Sequence, residues 1–156
     1  MTLANIAFKN ILVPTDFGAP AKHALQVALA LAEKFDANVT LLHACWTPPW
    51  TYTATEALGW PMEEYDTAAK KELDLALVDA RKQYPRVDEL FVAGDPAESI
   101  LDSARKVDAD LLVLGTHGRS GLSRVFLGSV AEKVTRRATI PVLTVSGRED
   151  GPDTKR

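Results

Sequence analysis

The chain has little cysteine, no long apolar run and no excess of positive charge, and each shortage excludes a class of protein. Cys45 is the single cysteine among 156 residues, so an internal disulfide and a zinc site built on several thiolates are excluded. No stretch approaches the ~18 apolar residues of a membrane-spanning helix. The N-terminus also lacks the basic and apolar segments of a signal peptide. We therefore expect a cytoplasmic protein without membrane insertion.

The charge balance disfavours a nucleic-acid-binding protein. Eighteen basic residues stand against twenty-one acidic residues, which gives a net charge of −3 at pH 7. Affinity for nucleic acids comes largely from Lys and Arg side chains that neutralise phosphates.

Three common catalytic and cofactor motifs are also missing. The sequence has no Gly-x-x-x-x-Gly-Lys-Ser/Thr, no Gly-x-Gly-x-x-Gly after the first apolar run and no Gly-x-Ser-x-Gly. P-loop ATPases, dinucleotide-binding dehydrogenases and hydrolases with a nucleophile elbow are thereby excluded. No catalytic residue is predicted.

Short apolar runs alternate with amphipathic stretches along the chain. Unbroken runs such as Ile11–Val13 and Leu111–Leu114 are typical of strands buried on both faces of a parallel sheet. Apolar residues three or four positions apart predict the intervening helices. Predicted strands are 11–13, 38–44, 90–93, 111–114 and 141–145, and predicted helices cover about 19–35, 62–83, 129–138 and a segment from 96 onward. This alternation predicts a single α/β domain with a parallel sheet and helices on both faces.

The helix from residue 96 onward has a clear start signal. Asp95 is a preferred N-cap, and Pro96 is tolerated at the first helical position. Glu98 stands where it could complete a capping box.

Parallel sheets of this kind bind ligands at the carboxyl ends of strands, where the winding direction reverses. If the first strand begins the centre of the sheet, the first and fourth strands flank that point. The turn Pro14–Asp16 is then expected beside Gly115–Gly118, about a hundred residues away in sequence.

The segment from Gly115 to Ser129 indicates a phosphate-binding loop. It leaves a hydrophobic strand, carries glycines at 115, 118, 121 and 128, and ends where a helix is predicted to begin. Glycine lets backbone N–H groups turn toward an anion, and a helix N-terminus adds about half a positive charge. Arg119, Arg124 and His117 in the same loop are candidate phosphate contacts.

A purely structural interpretation of these residues stays open. Ser129-x-x-Glu132 fits a capping box, so Ser129 could simply cap its helix. Gly115 and Gly118 could serve only a tight turn. Asp16 follows a strand directly, and such a residue is more often a helix N-cap or a turn residue than a ligand.

Residues 45–61 form a predicted long loop, because two adjacent prolines forbid a regular element there. Its aromatic side chains could stack on a nucleobase, or they could cover an apolar edge or a partner surface. Of the histidines outside the glycine-containing loop, His23 is expected at the surface. His43 ends the second strand and could approach the edge of the ligand, but a structural histidine with satisfied hydrogen bonds is the expectation.

These motifs resemble those of the universal stress protein family. Gly115-x2-Gly118-x9-Gly128-Ser129 matches the family's nucleotide-binding signature without a gap. Val13-Pro-Thr-Asp-Phe17 resembles the first-strand signature, and segments 128–134 and 140–145 resemble the closing helix and strand. The likeness covers roughly residues 8–146, so we expect a domain at 1–146 followed by a charged C-terminal tail at 147–156.

The resemblance implies a Rossmann-like fold, of the adenine nucleotide alpha hydrolase-like type, with a five-stranded parallel sheet in the order 3-2-1-4-5. It also implies a homodimer through the last strand, Ile140–Val145. The subgroup that keeps the glycine signature binds ATP or a related adenine nucleotide such as AMP or ADP. Carried over by position, the nucleotide-binding residues are Pro14, Thr15, Asp16, Ala44, Gly115, Gly118, Gly128, Ser129 and the Val130 backbone. Asp16 is a candidate ligand of Mg²⁺ only through a nucleotide-bound ion.

The expected function is that of a stress-response regulatory dimer whose loops are ordered by nucleotide and read by a partner protein. Two alternatives stay open. One is slow ATP hydrolysis with Asp16 and Mg²⁺ aligning water, although the sequence arranges no evident general base. The other is a nucleotide-free interaction module, associated with another protein such as a transporter, that uses residues 45–61 for recognition.

Overall fold

The computed structural model describes residues 7–46, 62–116 and 127–146. Strands and helices alternate within these segments. The strands are β1 (Asn10–Pro14), β2 (Asn38–Cys45), β3 (Val87–Ala93), β4 (Leu111–Gly115) and β5 (Val142–Val145); the helices are α1 (Ala19–Phe35), α2 (Met62–Gln83), α3 (Pro96–Lys106) and α4 (Ser129–Arg137). The predicted elements are therefore present. The predicted tail and residues 47–61 of the predicted loop lie outside the described residues.

The five strands form one parallel sheet in the order β3-β2-β1-β4-β5, which confirms the predicted topology. Leu12 in β1 pairs with Thr40 of β2 on one side and with Leu112 of β4 on the other. The winding direction reverses between β1 and β4, so the carboxyl ends of these two strands border a crevice.

Side chains that alternate along the strands separate the interior into two layers. Ile11 and Val13 pack with α1 and α2 on one face, whereas Leu12 packs with α3 and α4 on the other. All three side chains are at most 1% exposed. Burial of a side chain of this size contributes roughly 1.5–3 kcal/mol, so the central strand anchors both layers.

Helix α1 lies unusually close to the end of β4. Most of its buried residues are alanines, and Ala24, Ala28 and Ala32 are fully buried. A Cβ atom on Gly115 would lie 2.7 Å from the backbone nitrogen of Ala21 and 2.7 Å from the carbonyl carbon of Pro20. Real Cβ atoms do not approach backbone this closely, so glycine at this position is required by packing.

The start of α3 confirms one part of its prediction and corrects another. Asp95 Oδ1 accepts a hydrogen bond from Glu98 N at 3.1 Å, and Pro96 is the first helical residue. The Glu98 carboxylate does not complete a capping box; it binds the Arg137 guanidinium of α4, with Nη2 3.1 Å from Oε2. This bond lowers the pKa of Glu98, and it joins the two helices on this face of the sheet.

The predicted boundary of the long loop is one residue too early. Cys45 belongs to β2, where it pairs with Ala93 of β3. Its thiol donates to Asp66 Oδ1 of α2 at 2.8 Å. Burial, and then the hydrogen bond and charge of Asp66, raise the pKa of the thiol to about 11. The thiol is therefore neutral near pH 7 and serves to join α2 to the sheet.

Two features are absent from the segments that the structure describes. Within them, no helix is both long enough and apolar enough to cross a lipid bilayer. The same segments contain no cluster of three or more His, Cys, Asp or Glu side chains suited to a metal ion.

Candidate functional site

A cleft of about 300 Å³ opens at the carboxyl ends of β1 and β4. Eight of the nine residues predicted to bind nucleotide line it: Pro14, Thr15, Asp16, Ala44, Gly115, Gly128, Ser129 and Val130. The ninth, Gly118, lies outside the described residues, as do the candidate phosphate contacts His117, Arg119 and Arg124. The structure therefore brings together two chain segments about a hundred residues apart. A larger hollow of about 440 Å³ lies beside the ends of α3 and α4, and no predicted site residue lines it.

One wall of the cleft is the turn that follows β1. Asp16 Oδ1 accepts a hydrogen bond from Gly18 N at 2.8 Å, which is the geometry of an Asx turn. The N-cap of α1 is Gly18. The N-cap alternative for Asp16 is thus wrong, and the turn alternative is confirmed. Asp16 is exposed, so its carboxylate remains accessible from the cleft.

Phe17, the next residue, has a left-handed backbone with φ at 65°. This conformation is uncommon for a bulky side chain and costs of order 1–3 kcal/mol. The side chain is nevertheless buried, and its ring stacks on the imidazole of His43, with centroids 4.6 Å apart. Burial and stacking offset the backbone cost and hold the turn.

His43 lies at the edge of the cleft and has a hydrogen-bond partner inside the protein. Its Nδ1 atom is 2.8 Å from the carbonyl oxygen of Thr15. The expectation of a structural histidine with a satisfied hydrogen bond is therefore confirmed. His43 also lines the cleft, as its place at the end of β2 suggested. Its contact with Thr15 could not be anticipated, because all of α1 separates the two residues in sequence.

The opposite wall of the cleft is the amino end of α4. Gly128 is the N-cap, and its N–H donates to the carbonyl oxygen of Thr116 at 2.7 Å. Ser129 is the first helical residue, so the alternative that Ser129 caps this helix is wrong. The N–H groups of the first helical turn have no acceptor within the helix. They carry the positive end of the helix dipole, and Ser129 and Val130 bring that end to the cleft.

His23 is half-buried near the surface, where it was expected, and it also has a distant partner. Its Nδ1 atom is 2.9 Å from the carbonyl oxygen of Ser146, just beyond β5. This hydrogen bond joins α1 to the end of the described chain. No spacing in the sequence could have indicated it, because 123 positions separate the two residues.

The comparison with known families decides the identity of this arrangement. The model of the Universal stress protein family matches residues 7–146. The chain belongs to this family. The matched segment contains both walls of the cleft. The family predicted from the glycine signature and the first-strand signature is therefore confirmed.

Individual universal stress proteins resemble this one along nearly its whole length. MJ0531 of Methanocaldococcus jannaschii is 34% identical over 142 residues, which cover 88% of this chain and 82% of that protein. The solved structure of MJ0577 from the same organism is 28% identical, with a TM-score of 0.75. The match covers 94% of this chain and 100% of that chain.

A third relative has been solved with a nucleotide. It is the universal stress protein of Archaeoglobus fulgidus in complex with dAMP, which is 24% identical, with a TM-score of 0.68. The match covers 90% of this chain and 99% of that chain. At this identity the likeness shows a shared fold.

Proposed function

We propose that this universal stress protein binds ATP or a related adenine nucleotide in the cleft between β1 and β4. The observation that carries the proposal is the meeting of the Asp16 turn and the amino end of α4 at one crevice. A positive helix end suits a polyphosphate, and an acidic turn suits a sugar hydroxyl or a phosphate-bound cation. A solved protein of the same fold binds dAMP, which supports an adenine nucleotide as the ligand.

Each end of the nucleotide has matching groups in the cleft. The amides of Ser129 and Val130 would donate to phosphate oxygens. Pro14, Thr15 and Ala44 would contact the adenosine end. Gly118, with its neighbours in the loop after β4, completes the phosphate contacts in this proposal.

Mg²⁺ fits the same arrangement through Asp16. The carboxylate is exposed and lines the cleft, and Mg²⁺ in proteins is often held by one or two carboxylates together with substrate phosphates. When bound, the ion would neutralise phosphate charge. Asp16→Asn keeps the amide-accepting oxygen of the Asx turn while removing the charge. It is therefore the variant that separates cation binding from turn formation.

Nucleotide binding is tested by titration calorimetry of the purified dialysed protein with ATP, ADP, AMP and GTP. We expect saturable heat for at least one adenine nucleotide below millimolar concentration, weaker binding of GTP, and ATP recovered intact. Mass spectrometry of ligands released from freshly purified protein should detect an adenine nucleotide. No heat up to millimolar ligand would contradict the proposal and favour a nucleotide-free interaction module.

The regulatory role proposed for this nucleotide is a shift between loop conformations in the cytoplasm during stress. A nucleotide that contacts both cleft walls favours the conformation in which they are correctly placed, because it binds that conformation better. A partner protein would then bind the ordered surface.

We further propose that β5 pairs two copies of the chain. This strand is at the edge of the sheet, and Leu143 on it is 37% exposed. An exposed apolar edge strand promotes association unless it is covered. Val142 packs against the core formed with α3 and α4, so Leu143 is the better position to change.

The exchange of Leu143 for lysine should shift the mass of the protein from dimer to monomer in sedimentation velocity runs. Leu75→Lys is the matched control, because Leu75 is an exposed leucine of α2, far from this edge in the sheet order. It should leave the mass unchanged. A wild-type monomer, or a Leu143→Lys protein with the mass of a dimer, would contradict pairing through β5.

A further inference from the structure

His43 connects three parts of the structure at the edge of the cleft. It lies in β2 and pairs in register with Phe91 of β3. Its ring lies between Phe17, with centroids 4.6 Å apart and planes at 26°, and Phe91, with centroids 5.7 Å apart. Both contacts are of the kind that stabilises aromatic pairs. They fix the plane of the imidazole.

The hydrogen bond of His43 determines which ring nitrogen carries the proton. Nδ1 lies 2.8 Å from the carbonyl oxygen of Thr15, and a carbonyl oxygen can only accept. Nδ1 must therefore be the donor. A neutral His43 is then the Nδ1–H tautomer, which is the less common form of free histidine in solution.

Thr15 has a hydrogen-bond partner at each of its polar groups, and His43 supplies the partner of its carbonyl oxygen. The Thr15 N–H donates to the carbonyl oxygen of Leu42 at 2.8 Å, and Thr15 Oγ1 accepts from Phe17 N at 3.0 Å. The carbonyl oxygen of Thr15 accepts from His43. Asp16 thus stands between two anchored residues, and both anchors involve the imidazole of His43.

We propose that His43 is a positioning residue that sets the place of the Asp16 carboxylate in the cleft. It acts through its Nδ1–H bond to Thr15 and through its stacking on the strained Phe17. The consequence for ligand binding rests on the proposed nucleotide function. The consequence for the turn holds in the protein without ligand.

Two substitutions separate the hydrogen bond from the ring. His43→Asn keeps an N–H donor at the same number of bonds from the backbone but removes the aromatic ring. His43→Phe keeps an aromatic ring but removes the N–H donor. The Thr15 carbonyl oxygen then loses its hydrogen bond from residue 43. We expect His43→Phe to weaken ATP binding about tenfold. His43→Asn should stay within about threefold of the unchanged protein.

Measurements without ligand test the turn independently. In the unchanged protein, nitrogen NMR of the imidazole should show the Nδ1–H tautomer of His43. Amide hydrogen exchange at Phe17 and Gly18 should be faster in His43→Phe than in His43→Asn. If the unchanged protein binds no adenine nucleotide, the nucleotide proposal fails while these readouts still decide the role of His43.

Two results would overturn the proposal. One is an Nε2–H tautomer in the unchanged protein, which needs no variant and so does not depend on whether the variants fold. The other is exchange at Phe17 and Gly18 and an ATP affinity that neither variant changes relative to the unchanged protein. An Nδ1–H tautomer combined with the unequal exchange would support it.

Discussion

Glutamate in place of Ser129 is expected to weaken ATP binding by at least about a hundredfold. Ser129 is the first residue of α4, is exposed and lines the cleft. A carboxylate there would meet the phosphates at close range, and two like charges about 4 Å apart repel by roughly 4 kcal/mol near a protein surface. Calorimetric titration of Ser129→Glu with ATP measures the effect.

The stability of the same variant should change in the opposite direction. A carboxylate in the first turn interacts favourably with the helix dipole, by about 0.3–1 kcal/mol. Thermal unfolding of Ser129→Glu should therefore occur at the same temperature or slightly higher. Ser129→Gln is the matched control, since it has nearly the same size without the charge, and it should lose much less affinity. Equal losses in the two variants would show that no phosphate lies at this helix end.

Gly115→Ala is expected to lower the free energy of unfolding by about 2–3 kcal/mol. The added methyl group would lie 2.7 Å from backbone atoms of Pro20 and Ala21, which are held in α1 and cannot rotate away. The melting temperature should fall by about 4–12 °C for a chain of this length. Differential scanning calorimetry without ligand is the direct measurement.

Gly128→Ala is the matched control for this packing argument. A Cβ at Gly128 would lie 3.1 Å from the Thr116 carbonyl oxygen, and no other atom of the described residues would be closer than 3.9 Å. Its φ of −54° is ordinary for any residue. We expect a loss below about 1 kcal/mol, chiefly because glycine is the better N-cap. If both variants were equally stable, the close approach of α1 to Gly115 would be refuted.

The fold was predictable because each local signal agreed with the global pattern. Apolar periodicity located α1 over the same residues that the structure shows, and Asp95 with Pro96 marked the start of α3. The error at Glu98 has a clear cause. Glu98 satisfies a local capping motif, but Arg137, 39 positions away, binds its carboxylate instead. A motif read within four residues contains no information on such a competitor.

The sequence predicted which chain segments lie together at the site, but not the individual contacts that their residues make. Strand order was enough to bring Asp16 toward Gly128. The sequence suggested two roles for Gly115, a tight turn or a ligand contact. The structure shows a third role, which is to let α1 pack closely against the end of β4. His43 was recognised as structural, yet its hydrogen bond to Thr15 depends on the register of β1 and β2. Such contacts follow from three-dimensional neighbours that a linear pattern does not specify.

The walls of the cleft come from opposite ends of the domain, Pro14–Gly18 and Gly128–Ala131. During translation, the first wall leaves the ribosome long before the second has been synthesised. No fragment that stops before α4 can present both. Occupancy of the cleft would thus require a polypeptide that has already been synthesised through the first turn of α4.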